Sequence, residues 1–111
     1  MTDIHALIDE KVKSKDIFLF MKGTPDFPQC GFSGRVVQIL NYLGVDFDSA
    51  NVLADQELRE GVKSYANWPT IPQLYIKGEF VGGADIVTEM FQAGELQKHL
   101  EDNGITVRQT A

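Results

Sequence analysis

One cysteine, Cys30, stands between a proline-bearing run, Thr24-Pro25-Asp26-Phe27-Pro28-Gln29, and a segment with helical spacing that begins at Gly31. A cysteine at a helix start faces unpaired backbone N–H groups and the positive end of the helix dipole. Both favour the thiolate, which is the nucleophile and the metal ligand. Lys22 opens the same loop and can add positive charge there. Gln29, Gly31 and Ser33 are poor company for a core, and Gly31 lets a second molecule approach the sulfur closely. The plain alternative, a buried structural cysteine, stays open on position alone. A lone cysteine closes no disulfide within its own chain and holds no metal by itself. If Cys30 acts, the partner thiol comes from elsewhere.

Two further segments carry unusual backbone chemistry. Gly82-Gly83-Ala84-Asp85 precedes an apolar-periodic stretch, so its N–H groups at a helix start favour an anion, and the glycines permit close approach. Asp85 reads as the cap of that helix, with or without a ligand to meet. Thr70-Ile71-Pro72 opens a strand-like run, where a proline without a donor is tolerated. His5 and His99 lie in helical segments among polar residues and read as surface groups rather than metal ligands. Glu57, Glu60, Glu89 and Glu95 read as solvated helix faces.

These groups need elements to hold them. Ile4, Leu7, Ile8 and Val12 give a helix over 4–12, and Ile17–Met21 gives a strand buried on both faces. Val36, Ile39, Leu40 and Leu43 give a helix over 31–43, stopped by Gly44. A short strand is expected over 46–51, then a helix capped by Asp55 that buries Leu58 and Val62. A strand over 71–77, the turn Lys77-Gly78-Glu79 and a strand over 80–82 form a hairpin. A last helix runs from Asp85 to Asn103-Gly104, with Gly94 as a possible irregularity, and a loose polar tail over 102–111 follows. The order α-β-α-β-α-β-β-α is that of a thioredoxin fold with an additional N-terminal helix: an α/β protein with a four-stranded mixed sheet flanked by helices.

With 111 residues the chain is expected to form one domain over 1–111, its core about 4–101. The formal charge of −6 argues against a nucleic-acid partner, because phosphate binding needs a basic face. The longest apolar run near the N-terminus, 17–21, is far too short to span a bilayer. The expected address is the cytoplasm, or an organelle reached by a leader since removed.

The run Cys30-Gly31-Phe32-Ser33 resembles the signature of monothiol glutaredoxins, whose dithiol cousins carry a second cysteine where this chain has Ser33. Met21-Lys22-Gly23, Trp68-Pro69-Thr70-Ile71-Pro72-Gln73 and Gly82-Gly83-Ala84-Asp85 match the family in the same order, and Arg59 matches a basic family position. The resemblance covers residues 4–101. In one departure, Ala84 stands where many bacterial relatives have a second cysteine.

The resemblance implies a glutathione groove beside Cys30. Lys22 and Arg59 would take the glycine carboxylate; Thr70, Ile71 and Pro72 the middle of the peptide; Gly83, Ala84 and Asp85 the γ-glutamyl end. It also implies a cis bond before Pro72, which would let Ile71 offer its N–H and C=O as an added strand would. Trp68 is expected to pack, and Phe32 to lie in a contact surface. The implied activity is a carrier of a labile [2Fe–2S] cluster in cluster assembly, storage or transfer. The cluster would be shared between two subunits, through Cys30 of each and two glutathione thiols. Implied partners are a second copy of the chain, BolA-like proteins and apo iron–sulfur clients. The competing reading is a glutathione-dependent oxidoreductase that removes glutathione from protein mixed disulfides, with Cys30 as its nucleophile.

Overall fold

The computed structural model describes residues 3–108. Side chains along a strand alternate between faces, so the unbroken apolar run of β1 (Ile17–Met21) demands cover on both sides, and all of it is buried. On one face Ile17, Leu19 and Met21 meet Val36, Leu40 and Leu43 of α2 (Gly31–Leu43), Val87 of α4 (Ala84–Gln92), and Leu96 and Leu100 of α5 (Glu95–Asp102). On the other, Phe18 and Phe20 meet Ile8 and Val12 of α1 (Ile4–Lys13) and Leu58 and Val62 of α3 (Gln56–Ala66). Each fully buried side chain of this size stabilises the fold by about 1.5–3 kcal/mol.

The sheet order is β2-β1-β3-β4, with β2 Asp48–Asn51, β3 Gln73–Ile76 and β4 Glu79–Gly82. β1 pairs with β2 in parallel and with β3 antiparallel, and β3 pairs antiparallel with β4. This is a thioredoxin-like α/β fold with a helix ahead of its first strand. Its register determines where the chemistry falls. Met21 pairs with Asn51, Phe20 with Gln73 and Leu74 with Gly82. The loop after β1, the segment before β3 and the glycines after β4 therefore emerge at one end of the sheet.

Several boundaries differ from expectation. β2 starts at Asp48 rather than at 46, because the Val45 N–H donates to Leu40 O at the end of α2 before the chain can pair. β3 covers Gln73–Ile76 rather than 71–77. Pro72 has no N–H for the ladder, and Lys77 and Gly78, with φ of +54° and +79°, already belong to the turn. β4 starts at Glu79, one residue early. The last helix is two: Gly94, at φ +77°, ends one and opens the other. Asp85 is not its cap. Gly83 holds that position, its C=O accepting the Val87 N–H at 3.0 Å, and Asp85 sits in the first turn, where its charge still suits the dipole. A 3-10 turn, Val52–Ala54, was not anticipated. The segment after α5 is not loose as far as Arg108: Ile105 and Val107 pack on the core, and the Arg108 N–H donates to Leu43 O at 2.9 Å. The rest of the expected tail, 109–111, lies outside the described residues.

Candidate functional site

The loop between β1 and α2 is tied on three sides. Gln29 N–H donates to Lys22 O at 2.9 Å, and Thr24 and Phe27 exchange backbone bonds at 3.3 and 3.0 Å. Asn51 Oδ1, at the end of β2, accepts from Gly23 N–H at 2.9 Å and from Leu53 N–H at 3.0 Å. Gly23 has φ +91°, and a Cβ there would sit 2.5 Å from Phe27 O, so this knot requires glycine. The loop delivers Cys30 to the cap position of α2 in extended conformation, half-buried, with its C=O accepting the Gly34 N–H at 2.9 Å. Ser33, expected outside the core, is fully buried, and its Oγ accepts the Lys22 N–H at 3.1 Å. Phe27 and Phe32 are 74% and 62% exposed on either side of the cysteine.

The second wall is α3. Asp55 caps it by accepting the Leu58 N–H at 3.1 Å, as expected. Arg59 and Lys63, one turn apart on this helix, both line the space in front of Cys30. Lys63 escaped the sequence reading. Its spacing of four from Arg59 was the available signal, since residues so spaced share a helix face. Lys63 leans on Glu60 at 3.5 Å, while Lys22 and Arg59 have no carboxylate partner among the described residues.

The third wall is the segment before β3. Ile71–Pro72 is cis, as the resemblance implied. The Trp68 indole packs on Phe80, ring centroids 5.8 Å apart, and also lines the cleft; its N–H is enclosed without a hydrogen-bond partner, as is Arg59 Nε. Gly83 closes the far end, where a Cβ would lie 3.3 Å from both Pro72 O and Trp68 Nε1.

All these parts border one open cleft of about 500 Å³. Cys30 and Lys22 line it from the loop, Arg59 from α3, Thr70, Ile71 and Pro72 from the cis segment, and Gly83, Ala84 and Asp85 from the start of α4. Every residue predicted for the site thus reaches the same space. The cleft is electrically polarised: Lys22, Arg59 and Lys63 line it from the loop and α3, and helix N-terminal N–H groups and the Asp85 carboxylate line it at the start of α4.

Partial burial pushes the Cys30 thiol up. The backbone N–H groups of Ser33 and Phe32, the Lys22 charge and the Ser33 hydroxyl together outweigh it and hold the thiol below its ordinary value. The arrangement offers an accessible thiol, more readily deprotonated than an ordinary one, beside a groove suited to a peptide-sized, carboxylate-bearing ligand. Among the described residues no three His, Cys, Asp or Glu side chains gather to hold a metal ion. His5 instead hydrogen-bonds to Ser64 between α1 and α3.

Comparisons with known proteins agree with this geometry. The family model described as Glutaredoxin matches residues 17–81. A monothiol glutaredoxin ycf64-like protein of Synechocystis is 59% identical over 99 residues, which are 89% of this chain and 92% of that one. Monothiol glutaredoxin-S17 of Arabidopsis thaliana is 51% identical over 107 residues, 96% of this chain, but the chain spans only 22% of the plant protein. The solution structure of a monomeric truncated mutant of Trypanosoma brucei 1-C-Grx1 superposes with a TM-score of 0.86 at 47% identity, covering 98% of this chain and 99% of that one.

Proposed function

The chain belongs to the monothiol glutaredoxin family, and from that premise we propose that it binds glutathione in the cleft beside Cys30 and carries a labile [2Fe–2S] cluster as cargo between two subunits. The observation that carries this reading is the placement of Cys30. It is an activated, accessible thiol at the rim of a cleft whose cations Lys22 and Arg59 have no carboxylate partner among the described residues. A protein of net charge −6 repels an anionic tripeptide at long range, so local cations and N–H groups must do the binding.

In this reading Lys22, Arg59 and Lys63 take the glycine carboxylate, the backbone of Thr70 and Ile71 pairs with the peptide, and the start of α4 takes the γ-glutamyl carboxylate. Asp85 accepts from the ligand ammonium. The donor set fits the cargo by number and softness. A [2Fe–2S] cluster takes four thiolates, one chain offers only Cys30, and two chains with two glutathiones offer four. Two of those ligands would not be tied to any chain, which makes the cargo transferable to apo-proteins. A BolA-like protein that replaced one subunit would have to supply two ligands of its own.

The depressed thiol also favours a second reading, nucleophilic removal of glutathione from protein mixed disulfides, with a second glutathione completing the turnover. Ser33 supplies no resolving thiol, so this route depends wholly on the second glutathione. Anaerobic reconstitution with iron, sulfide and glutathione separates the two. A visible absorption band that depends on glutathione supports the carrier. A colourless protein with rapid deglutathionylation of a model substrate supports the reductase.

A further inference from the structure

Among the described residues two polar side chains are fully buried, Ser33 and Gln73, and both hydrogen-bond to the backbone of residues that line the cleft. Ser33 braces the cysteine loop. Gln73 begins β3, directly after the cis bond, and its amide turns back under the segment that precedes it. Its Nε2 donates to Trp68 O at 3.2 Å and to Thr70 O at 3.3 Å. Its Oε1 accepts from the Tyr75 hydroxyl at 3.1 Å. The orientation is forced: carbonyls only accept, so the nitrogen must face Trp68 and Thr70, which leaves the oxygen for the Tyr75 O–H. Tyr75 is itself buried, with its ring against Phe20, Tyr65 and Phe80.

We infer that Gln73, oriented by Tyr75, is a positioning residue that sets the backbone of 68–71 in the shape that receives the glutathione peptide. The inference rests on the glutathione reading of the cleft. A buried polar group costs stability unless it is satisfied, and every polar atom of the Gln73 side chain has a partner. Two of those partners are carbonyls of a segment that lines the cleft, on the residues that flank Pro69. The Thr70 carbonyl shares its peptide plane with the Ile71 N–H, which in a trans peptide points the opposite way, so holding that carbonyl on Gln73 turns the Ile71 N–H away from Gln73. A helix or strand ladder cannot do this, because the segment lies between α3 and β3 and belongs to neither. Among the described residues no hydrogen bond joins the Gln73 side chain to Cys30, and the thiol loop and the peptide groove have separate braces, one Ser33 and the other Gln73.

The test compares wild type, Gln73→Met and Tyr75→Phe. Met keeps the length of the side chain and removes its hydrogen bonds; Phe keeps the ring packing and removes one hydroxyl. The probe is S-methylglutathione, whose blocked thiol leaves only the peptide groove to be measured. We expect Gln73→Met to weaken its binding about tenfold, the loss of one or two ordinary hydrogen bonds' worth of preorganisation, and Tyr75→Phe to weaken it less. The backbone amide resonances of Thr70 and Ile71 should shift in both variants. The rate of Cys30 alkylation by iodoacetamide should be unchanged. A merely structural role would lower the melting temperature and leave the affinity for the probe unchanged, and that result would overturn the inference. If Gln73→Met does not fold, Tyr75→Phe decides by the same readouts. Failure of wild type to bind the probe would count against the glutathione reading itself; binding by wild type with equal binding by the folded variants would count against Gln73 alone.

Discussion

The buried hydroxyl of Ser33 accepts the backbone N–H of Lys22 at 3.1 Å and helps to hold the Cys30 thiol below its ordinary value. One side chain thus ties the exit of β1 to the first turn of α2 and supports the thiolate between them. Ser33→Ala should leave the Lys22 N–H without its partner and raise the Cys30 thiol toward its ordinary range. At neutral pH the thiolate fraction then falls, and alkylation slows in proportion. Thiolate absorbance against pH, in the protein free of metal and glutathione, checks the direction; an unchanged or lower midpoint would remove Ser33 from this role.

The cations of the cleft should matter unequally. Lys22→Ala should weaken glutathione binding by about 1.5–3 kcal/mol if its contact is well formed, and it should also raise the Cys30 thiol, because the Lys22 charge helps to hold it down. Arg59→Ala should fall at or below the low end of that range, and Lys63→Ala, already leaning on Glu60, below Arg59→Ala. Calorimetric titration orders the three. No loss in any of them would take the glycine carboxylate away from this wall.

Gly83→Ala tests the far wall. The added methyl would meet Pro72 O and Trp68 Nε1 at 3.3 Å, closer than ordinary contact, with φ at −91° posing no conformational obstacle. The fold should survive and the wall should shift by a few tenths of an ångström. Glutathione affinity should fall several-fold, by analogy with the cost of modest overpacking, about 1–3 kcal/mol. Heteronuclear spectra that stay native while the titration weakens are the expected pair of results.

Tyr65 predicts an alkaline limit. Burial, then its hydrogen bond to Asp9 at 2.8 Å, pushes its phenol from 10.0 up to about 12. A group whose folded value is raised contributes stability fully present below its unfolded value and lost as pH rises through the folded one. Stability should therefore decline between about pH 10 and pH 12. Tyr75, raised further by burial, adds to the same decline. Tyr65→Phe should shallow the slope without abolishing it, as read from denaturant melts across that range.

Much of this architecture was legible because it follows from side-chain period and turn chemistry. The apolar run of Ile17–Met21, the stripe from Val36 to Leu43 closed by Gly44, and the Asp55 cap each specify an element locally, and each is present. What was missed depends on tertiary accounting. The start of β2 is set by where the Val45 N–H is used, whereas the break in the last helix falls at Gly94, the irregularity already marked in the sequence. Asp85 looked like a cap because its side chain suits one, but the backbone of Gly83 already held the position. At the site, the predicted residues came together because three loops share one sheet end, a consequence of strand register that motifs only imply. The burial of Ser33 and Gln73 was invisible in a sequence where Ser33 read as a polar residue at a helix start and Gln73 as one in a strand.

The central claim is that Cys30 anchors a cluster that one chain cannot hold. One reconstitution series tests it most directly: wild type, Cys30→Ser and Ser33→Cys, each with and without glutathione, read by visible absorption and sedimentation. Serine is a competent helix cap, and Cys30 is the cap residue of α2, so Cys30→Ser should fold. A hydroxyl is a harder ligand and far harder to deprotonate, so the cluster should be lost. Ser33→Cys, a thiol one turn from Cys30, should gain disulfide chemistry and hold the cluster less stably. Wild type should give a coloured dimer only when glutathione is present, and Cys30→Ser a colourless monomer. A coloured dimer from Cys30→Ser would show that other residues hold the iron, and would contradict the central claim.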